Sequence, residues 1–451
     1  MAGTIGADGY RRFWDEERET LAPEARRRVI LERIRHQLDY AYHRIPFYRE
    51  LYDRRGFRPE QVRRLEDFTE KVPVVTKAML RESQEAHPPF GNYLGVDFAE
   101  VMRIQGTSGT TGQPTLFAIT RDDWEHVSQA QAMQVWAAGM RPHDIVQMSF
   151  PLSLFVGGWG LLGAAETIGA KVLPVGGGES DRQLLLMKRV GASVICATPS
   201  FTLHLLERAR ALGEDPAASS LRLGFFGGEP GGGVPAVKRR LEQGWGLKAI
   251  DFGNVAEVHP CTNMECEHRT GMHTYLDIDY TEVVRADAPN EAVPMGSKGA
   301  VVYTQLWRRA QPMIRYFPGD ETLMTDEPCA CGRTYPRLPH GIIGRLDDLL
   351  VVRGVKIFPS AVEDVLRGVP GTGTEFRIHL ERPAELDEIS VEVEAGEPGN
   401  PALQAEVEAA LRAAFGIRVP ARLVPEQTFD RTAFKARRVI DRRPALSGAA
   451  A

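Results

Sequence analysis

The chain has 451 residues, 43% hydrophobic and 25% charged, with a formal net charge of -5. That length calls for more than one domain and a large core, and the balance is that of a globular protein. The acidic balance argues against broad binding to nucleic acid or an anionic membrane surface. Five cysteines, an odd number with four of them clustered, argue for a reducing cytoplasm and a metal site rather than a disulfide framework.

The charged opening, MAGTIGADGYRRFWDEERET, lacks the apolar stretch of a signal peptide. Apolar residues at helical spacing (Leu31, Ile34, Leu38, Tyr42) suggest a surface helical hairpin over 10–45, and helix, turn and helix continue to about residue 90. From about residue 100 short apolar runs alternate with helical stretches: MRIQ, TLFAI, a helix over 122–140, DIVQMSF, KVLPV, SVICATP and LRLGFFGG. Such alternation predicts an α/β domain with a largely parallel sheet, with Gly-rich turns at the strand ends where ligands bind. The uncharged run Ile145–Ala165 carries Gln147, Pro151 and four glycines, so it reads as a buried pocket-lining segment and not a membrane span. Residues 274–323 are β-rich, and beyond GRLDDLLVVRG a helix, two strands, a helix and a strand form an α+β unit of about 100 residues.

Residues 105–117, QGTSGTTGQPTLF, hold glycines and hydroxyls but no lysine. Glycines let backbone N–H groups converge on an anion, and hydroxyls add donors without bulk. The Walker pattern is excluded because its Lys-Ser/Thr end is missing. Four further stretches end apolar strands or mark a boundary: Phe226-Gly227-Gly228-Glu229-Pro230, Asp251 to Glu257, Tyr316-Phe317-Pro318-Gly319-Asp320, and Gly344-Arg345-Leu346-Asp347-Asp348. In this order and spacing they resemble the adenylate-forming (acyl-CoA synthetase) superfamily, and more closely its phenylacetate–CoA ligase branch. Thr115 after Pro114, the C-A-C-G-R-T segment and RGVKIFPSAVEDVL are branch-like.

The resemblance implies a large α/β N-terminal AMP-binding domain, 1–344, with mixed and parallel sheets, and a small mobile α+β C-terminal lid, 345–451. It implies ATP-dependent activation of a carboxylic acid through an acyl-adenylate, followed by thioester formation with CoA. Thr107, Ser108, Gly109, Thr110, Thr111 and Gly112 would wrap the β/γ-phosphates, with Mg²⁺ supplying the charge a loop lysine supplies elsewhere and Glu257 helping to hold it. Asp320 would accept both ribose hydroxyls, and Gly228, Glu229, Pro230, Asp251 and Phe252 would border adenine. Arg345 would reach the ribose or α-phosphate. Lys435 would visit the α-phosphate during adenylation, although Phe434 stands where glycine often precedes that lysine. Asp347 would be the hinge on which the lid swings, and Arg353, Gly354 and Lys356 would face CoA in its second orientation. One stretch departs from the pattern: Gly253-Asn254-Val255-Ala256-Glu257 replaces the usual Tyr-Gly-Leu-Ser/Thr-Glu.

Cys266, His273, Cys329 and Cys331 form two short-spaced pairs suited to structural Zn²⁺, which some members of the branch carry; His268 and Cys261 are alternative ligands. Cys196 reads as a buried-strand cysteine. Phe150, Phe155 and Trp159 offer aromatic walls, and Gly157, Gly158, Gly227 and Gly253 leave room for a flat ring, which suits an aryl or arylacetic monoacid. The alternatives are an adenylating enzyme that hands its acyl-AMP to an amine or a carrier protein, and a non-catalytic nucleotide-binding homologue. A monomer or homodimer without nucleic-acid or membrane partners is expected.

Overall fold

A computed structural model describes residues 5–6, 8–107, 114–383, 386–429 and 438–443. The segment read as a hairpin over 10–45 is instead dominated by one 22-residue helix, Pro23–Arg44. Proline at its first position starts it, and no glycine or proline follows before Arg44 to break it. Its Ile30, Ile34, Leu38 and Ala41 are buried with Tyr48, Tyr52 and Phe68 of the next helices, while Arg27, Glu32, Arg35 and Asp39 face solvent, so it is a surface helix with one face in the core.

The largest sheet has eight strands. Lys171–Leu173, Ile145–Met148, Val194–Ala197, Leu223–Phe226 and Lys248–Val255 run parallel in that spatial order. Val194–Ala197 and Leu223–Phe226 are buried at every position, which is why they read as continuous apolar runs. His259–Glu265, Met272–Thr274 and Arg337–Leu338 extend the sheet antiparallel. The helices Val156–Thr167, Ser180–Val190, Pro199–Ala211 and Pro235–Trp245 intervene between strands. Parallel direction brings the C-terminal strand ends, Ser149-Phe150, Thr198, Gly227-Gly228 and Asn254, to one edge.

MRIQ and TLFAI do not join that sheet. They form a separate antiparallel hairpin, Val101–Gly106 with Leu116–Thr120, since so short a connection cannot make the crossover that parallel strands need. A second sheet orders Val75–Thr76, Tyr316–Phe317, Lys298–Gln305, Asp320–Leu323 and Gly344–Arg345, with Asp279–Val284 beside Lys298–Gln305. After the turn Leu346–Asp348, a four-stranded sheet (Ala421–Pro425, Glu388–Ala395, Thr372–Glu381, Val439–Asp441) carries the helices Pro359–Gly368 and Pro401–Phe415. It has its own core, including Val362, Leu366, Ile378, Val391, Val407 and Leu411. The two parts touch where Asp364 accepts a 3.0 Å hydrogen bond from the Ala236 backbone N–H and Arg240 donates to the Gly373 carbonyl at 3.4 Å. No helix among the described residues is long and apolar enough to cross a membrane. The run Ile145–Ala165 divides into a buried strand and the helix from Val156.

Candidate active site

The hairpin Val101–Gly106/Leu116–Thr120 presents the Gly/Thr loop at its tip. The neck is closed twice: Thr107 N–H donates to the Thr115 carbonyl at 3.0 Å, and Thr115 N–H donates to Thr107 Oγ1 at 3.1 Å. Ser108, Gly109, Thr110, Thr111 and Gly112 lie outside the described residues, as does Lys435. Gly106 N–H donates to the Leu154 carbonyl at 2.9 Å, which fixes the neck against the segment 150–155.

Glu257 is buried, and its Oε1 makes no hydrogen bond. Lys77 Nζ stands 3.3 Å from that oxygen, at ion-pair distance. The Tyr316 phenol lies close to the same carboxylate, and burial, with the Glu257 charge beside it, holds the phenol well above its ordinary value. The pairing that assembles this group is the parallel match Val75↔Tyr316 and Thr76↔Phe317. Thr76 then caps the helix Lys77–Ala86, so Lys77 is the first residue of that helix. Gln84 on the same helix bonds both the N–H and the carbonyl of Leu116, tying Lys77 to the loop hairpin. Lys77 was not singled out from sequence. Its signal there is weak, a helix-start lysine after a Thr cap.

Asp320 opens a strand paired to Gly344–Arg345, with Asp320 opposite Arg345. Despite burial, Asp320 and Asp347 raise the Arg345 pKa above its ordinary value, and Nη2 donates to Asp347 at 2.8 Å. Asp347 itself is exposed, in the turn after that strand. Gly228 has φ +84°, a conformation glycine tolerates without a Cβ penalty. Next to it Glu229 accepts the Ser200 N–H at 2.8 Å; its carboxyl is raised by burial, against the opposing pull of Arg438. Pro230 is exposed beside them. Arg438, three residues after Lys435, is gripped by Glu363 and lies 3.6 Å from Glu375. The Asp251 carboxyl lies under the turn Gly231–Gly233, where a Cβ at Gly232 or Gly233 would collide with it. Burial, then Glu265, push it up to about 8, opposed by Lys238.

Of the residues read from sequence as pocket walls, the phenylalanines come together. The Phe150 and Phe155 rings stand 6.3 Å apart, and Phe252 makes an edge contact with Phe150 at 6.0 Å. A Cβ at Gly158 would press on Phe150 and one at Gly227 on Phe252. Gly253 has nothing within 3.7 Å of its Cβ position. Trp159 stands apart, bonded to the Ser153 carbonyl with Arg103 over its ring.

The ligand atoms of Cys266, His273, Cys329 and Cys331 all lie within 4.8 Å of one another, and all four residues are buried. His273 turns Nε2 to Cys331 Sγ at 3.4 Å and Nδ1 to the Tyr335 carbonyl at 3.2 Å, an outer partner that fixes the ring. The alternatives fall away. His268 is exposed, and Cys261 donates instead to the Asn263 carbonyl. Cys196 is buried within Val194–Ala197 and its thiol is pushed up by that burial.

Residues 31–306 match the AMP-binding enzyme family, and residues 354–443 match the AMP-binding enzyme C-terminal domain. The chain belongs to the AMP-binding enzyme family. A phenylacetate–coenzyme A ligase of Thermus thermophilus is 38% identical over 388 residues, covering 86% of this chain and 85% of its own. The solved 2-hydroxyisobutyryl-CoA ligase in its postadenylation state is 40% identical, with a TM-score of 0.92, over 98% of this chain and 94% of its own. The same ligase in its thioesterification state, at the same identity and coverage, gives 0.74. Equal sequence with unequal superposition isolates the arrangement of the parts. This AMP-binding enzyme therefore stands in the orientation of the postadenylation state, and the contacts of Asp364 with Ala236 and of Arg240 with Gly373 belong to that orientation.

Proposed function

We propose that the protein is an AMP-forming aryl acid–CoA ligase, with residues 1–344 as the AMP-binding domain and 345–451 as its lid. The acid's carboxylate oxygen attacks the α-phosphorus of ATP, forming acyl-adenylate and releasing pyrophosphate. The CoA thiolate then attacks the acyl carbon and AMP leaves. Little covalent work falls to the chain, whose task is positioning and charge stabilisation.

The observation that carries the reading is the convergence of Glu257, Lys77, Tyr316 and Asp320 beside the neck of the Gly/Thr loop. The buried Glu257 oxygen, without a hydrogen bond and with only a displaceable lysine charge beside it among the described residues, is the donor a hard cation takes, and Glu257 would hold Mg²⁺. Mg²⁺ supplies countercharge to the triphosphate. Residues 107–112 give amides and hydroxyls to the β/γ-phosphates, Lys77 gives the cation the loop lacks, and Asp320 and Arg345 hold the ribose. Lys435 brings a charge to the α-phosphate, and rotation at Asp347 carries it away before CoA enters. The Phe150, Phe155 and Phe252 rings take the acid's aromatic part. The three thiolates and one imidazole fit tetrahedral Zn²⁺, a closed site without an open position for catalysis.

The test is a panel of aryl and arylacetic acids assayed for AMP release with CoA present. Wild type converts at least one, and Lys435→Ala loses pyrophosphate exchange while retaining ATP binding. Turnover of long-chain fatty acids with none on ring-bearing acids overturns the aromatic assignment.

A further inference from the structure

Asn254 occupies the position at which the family pattern Tyr-Gly-Leu-Ser/Thr-Glu carries glycine. It lies at the end of the strand Lys248–Val255, where the register with His259–Glu265 shifts between Gly253 and Val255. Its side chain reaches the acyl chamber. The Asn254 Nδ2 atom is 3.6 Å from the Cβ position of Gly157, and the Phe155 ring is 2.8 Å from the same point. Phe155 in turn faces Phe150, which faces Phe252. A carboxamide therefore stands beside the helical Gly157 and the Phe155 ring, the first of a chain of three aromatic rings.

The amide makes no hydrogen bond to another described residue. Neighbouring polar side chains are engaged: Ser149 accepts from Gln147, Thr262 donates to the Gly253 carbonyl, and Asn263 accepts from Tyr303. Asn254 is half-buried and its amide is not sealed from solvent, so it is free to exchange water for a polar group of a ligand. It also takes up room that glycine leaves, next to the strand end leading to Glu257.

We propose that Asn254 selects a 2-hydroxy acid, its amide pairing with a hydroxyl on the carbon that bears the carboxylate. The inference rests on the ligase reading above and names the substrate class of that same chamber. The rings still receive the remainder of the acid, and the amide reads the hydroxyl. A site that hydrogen-bonds a substrate hydroxyl discriminates against the analogue lacking it, because the amide is then left unpaired. Asn254 is a specificity residue and takes no part in bond making.

The experiment measures kcat/KM for AMP release, with CoA present, on two matched pairs: mandelate against phenylacetate, and 2-hydroxyisobutyrate against isobutyrate. Wild type favours the hydroxy member of at least one pair by about tenfold or more, the equivalent of one net hydrogen bond. Asn254→Gly brings that ratio close to one, chiefly by lowering kcat/KM on the hydroxy acid, and Asn254→Ala serves where glycine loosens the strand. Equal rates within both pairs in wild type, or a ratio that survives both variants, overturns the proposal. The two readings fail separately. Ring-bearing acids turned over without regard to the hydroxyl sink only the role of Asn254. Silence on both ring-bearing acids with a preserved aliphatic preference sinks only the aromatic assignment.

Discussion

Burial beneath the turn 231–233, with Glu265 alongside, raises the Asp251 carboxyl from 3.8 to about 8. A carboxyl raised on folding favours the native state while protonated, so its contribution is full below 3.8 and is lost as pH rises through about 8. Between pH 5 and 9 the wild-type melting temperature should therefore fall more steeply than that of Asp251→Asn, measured in parallel thermal melts. Lys238 and Glu265, which face the carboxyl, remain in both proteins, so the difference in slope belongs to Asp251. At Lys77 the expectation is catalytic. The residue is about a third exposed, and among the described residues its only ion pair is to Glu257. Lys77→Ala should leave the melting temperature near wild type and lower pyrophosphate exchange about 100-fold, the usual loss for one donor to developing charge.

The loop that carries Cys329 and Cys331 is also the socket for the N-terminal arm. Arg12 donates to the Ala330 carbonyl at 3.1 Å, Arg333 pairs with the buried Glu19, and Arg26 donates to Thr334 at 2.9 Å. A metal that fixes this loop thereby fixes residues 12–26. Metal analysis should find one zinc per chain. Its removal, or Cys331→Ser, should lower the melting temperature and speed tryptic cleavage at Arg11 and Arg12 before the rest of the chain is cut. The strands were readable because a buried parallel strand is a short apolar run between helical stretches. The first helix was misjudged because periodicity reports which residues are apolar, not whether a long helix folds back.

The paired superpositions of 0.92 and 0.74 are on two states of one solved ligase, and this chain has the arrangement of the first. Asp364 reaches across to the first turn of the helix Pro235–Trp245 and acts as a cap supplied from the other part. Asp364→Ala should slow adenylation several-fold, as expected for about 1 kcal/mol of capping, and leave CoA transfer from preformed acyl-AMP unchanged. Asp347→Pro, which fixes φ and removes an N–H at the turn, should keep pyrophosphate exchange and suppress thioester formation.

The five ordered motifs, the two-part organisation and the four metal-type residues were legible in the chain because each is a local pattern of small, hydroxyl, carboxylate or thiol residues at fixed spacing. Sequence put Cys266 and His273 first but kept Cys261 and His268 open, and only the tertiary structure separates them, since chemically equal ligands differ in where the fold aims them. It also set a lysine, Lys77, beside Glu257, which is the ground for proposing it as the cation the Gly/Thr loop lacks. Lys77 is remote from Glu257 in sequence and belongs to no motif, and only the pairing of Val75–Thr76 with Tyr316–Phe317 brings the two charges together.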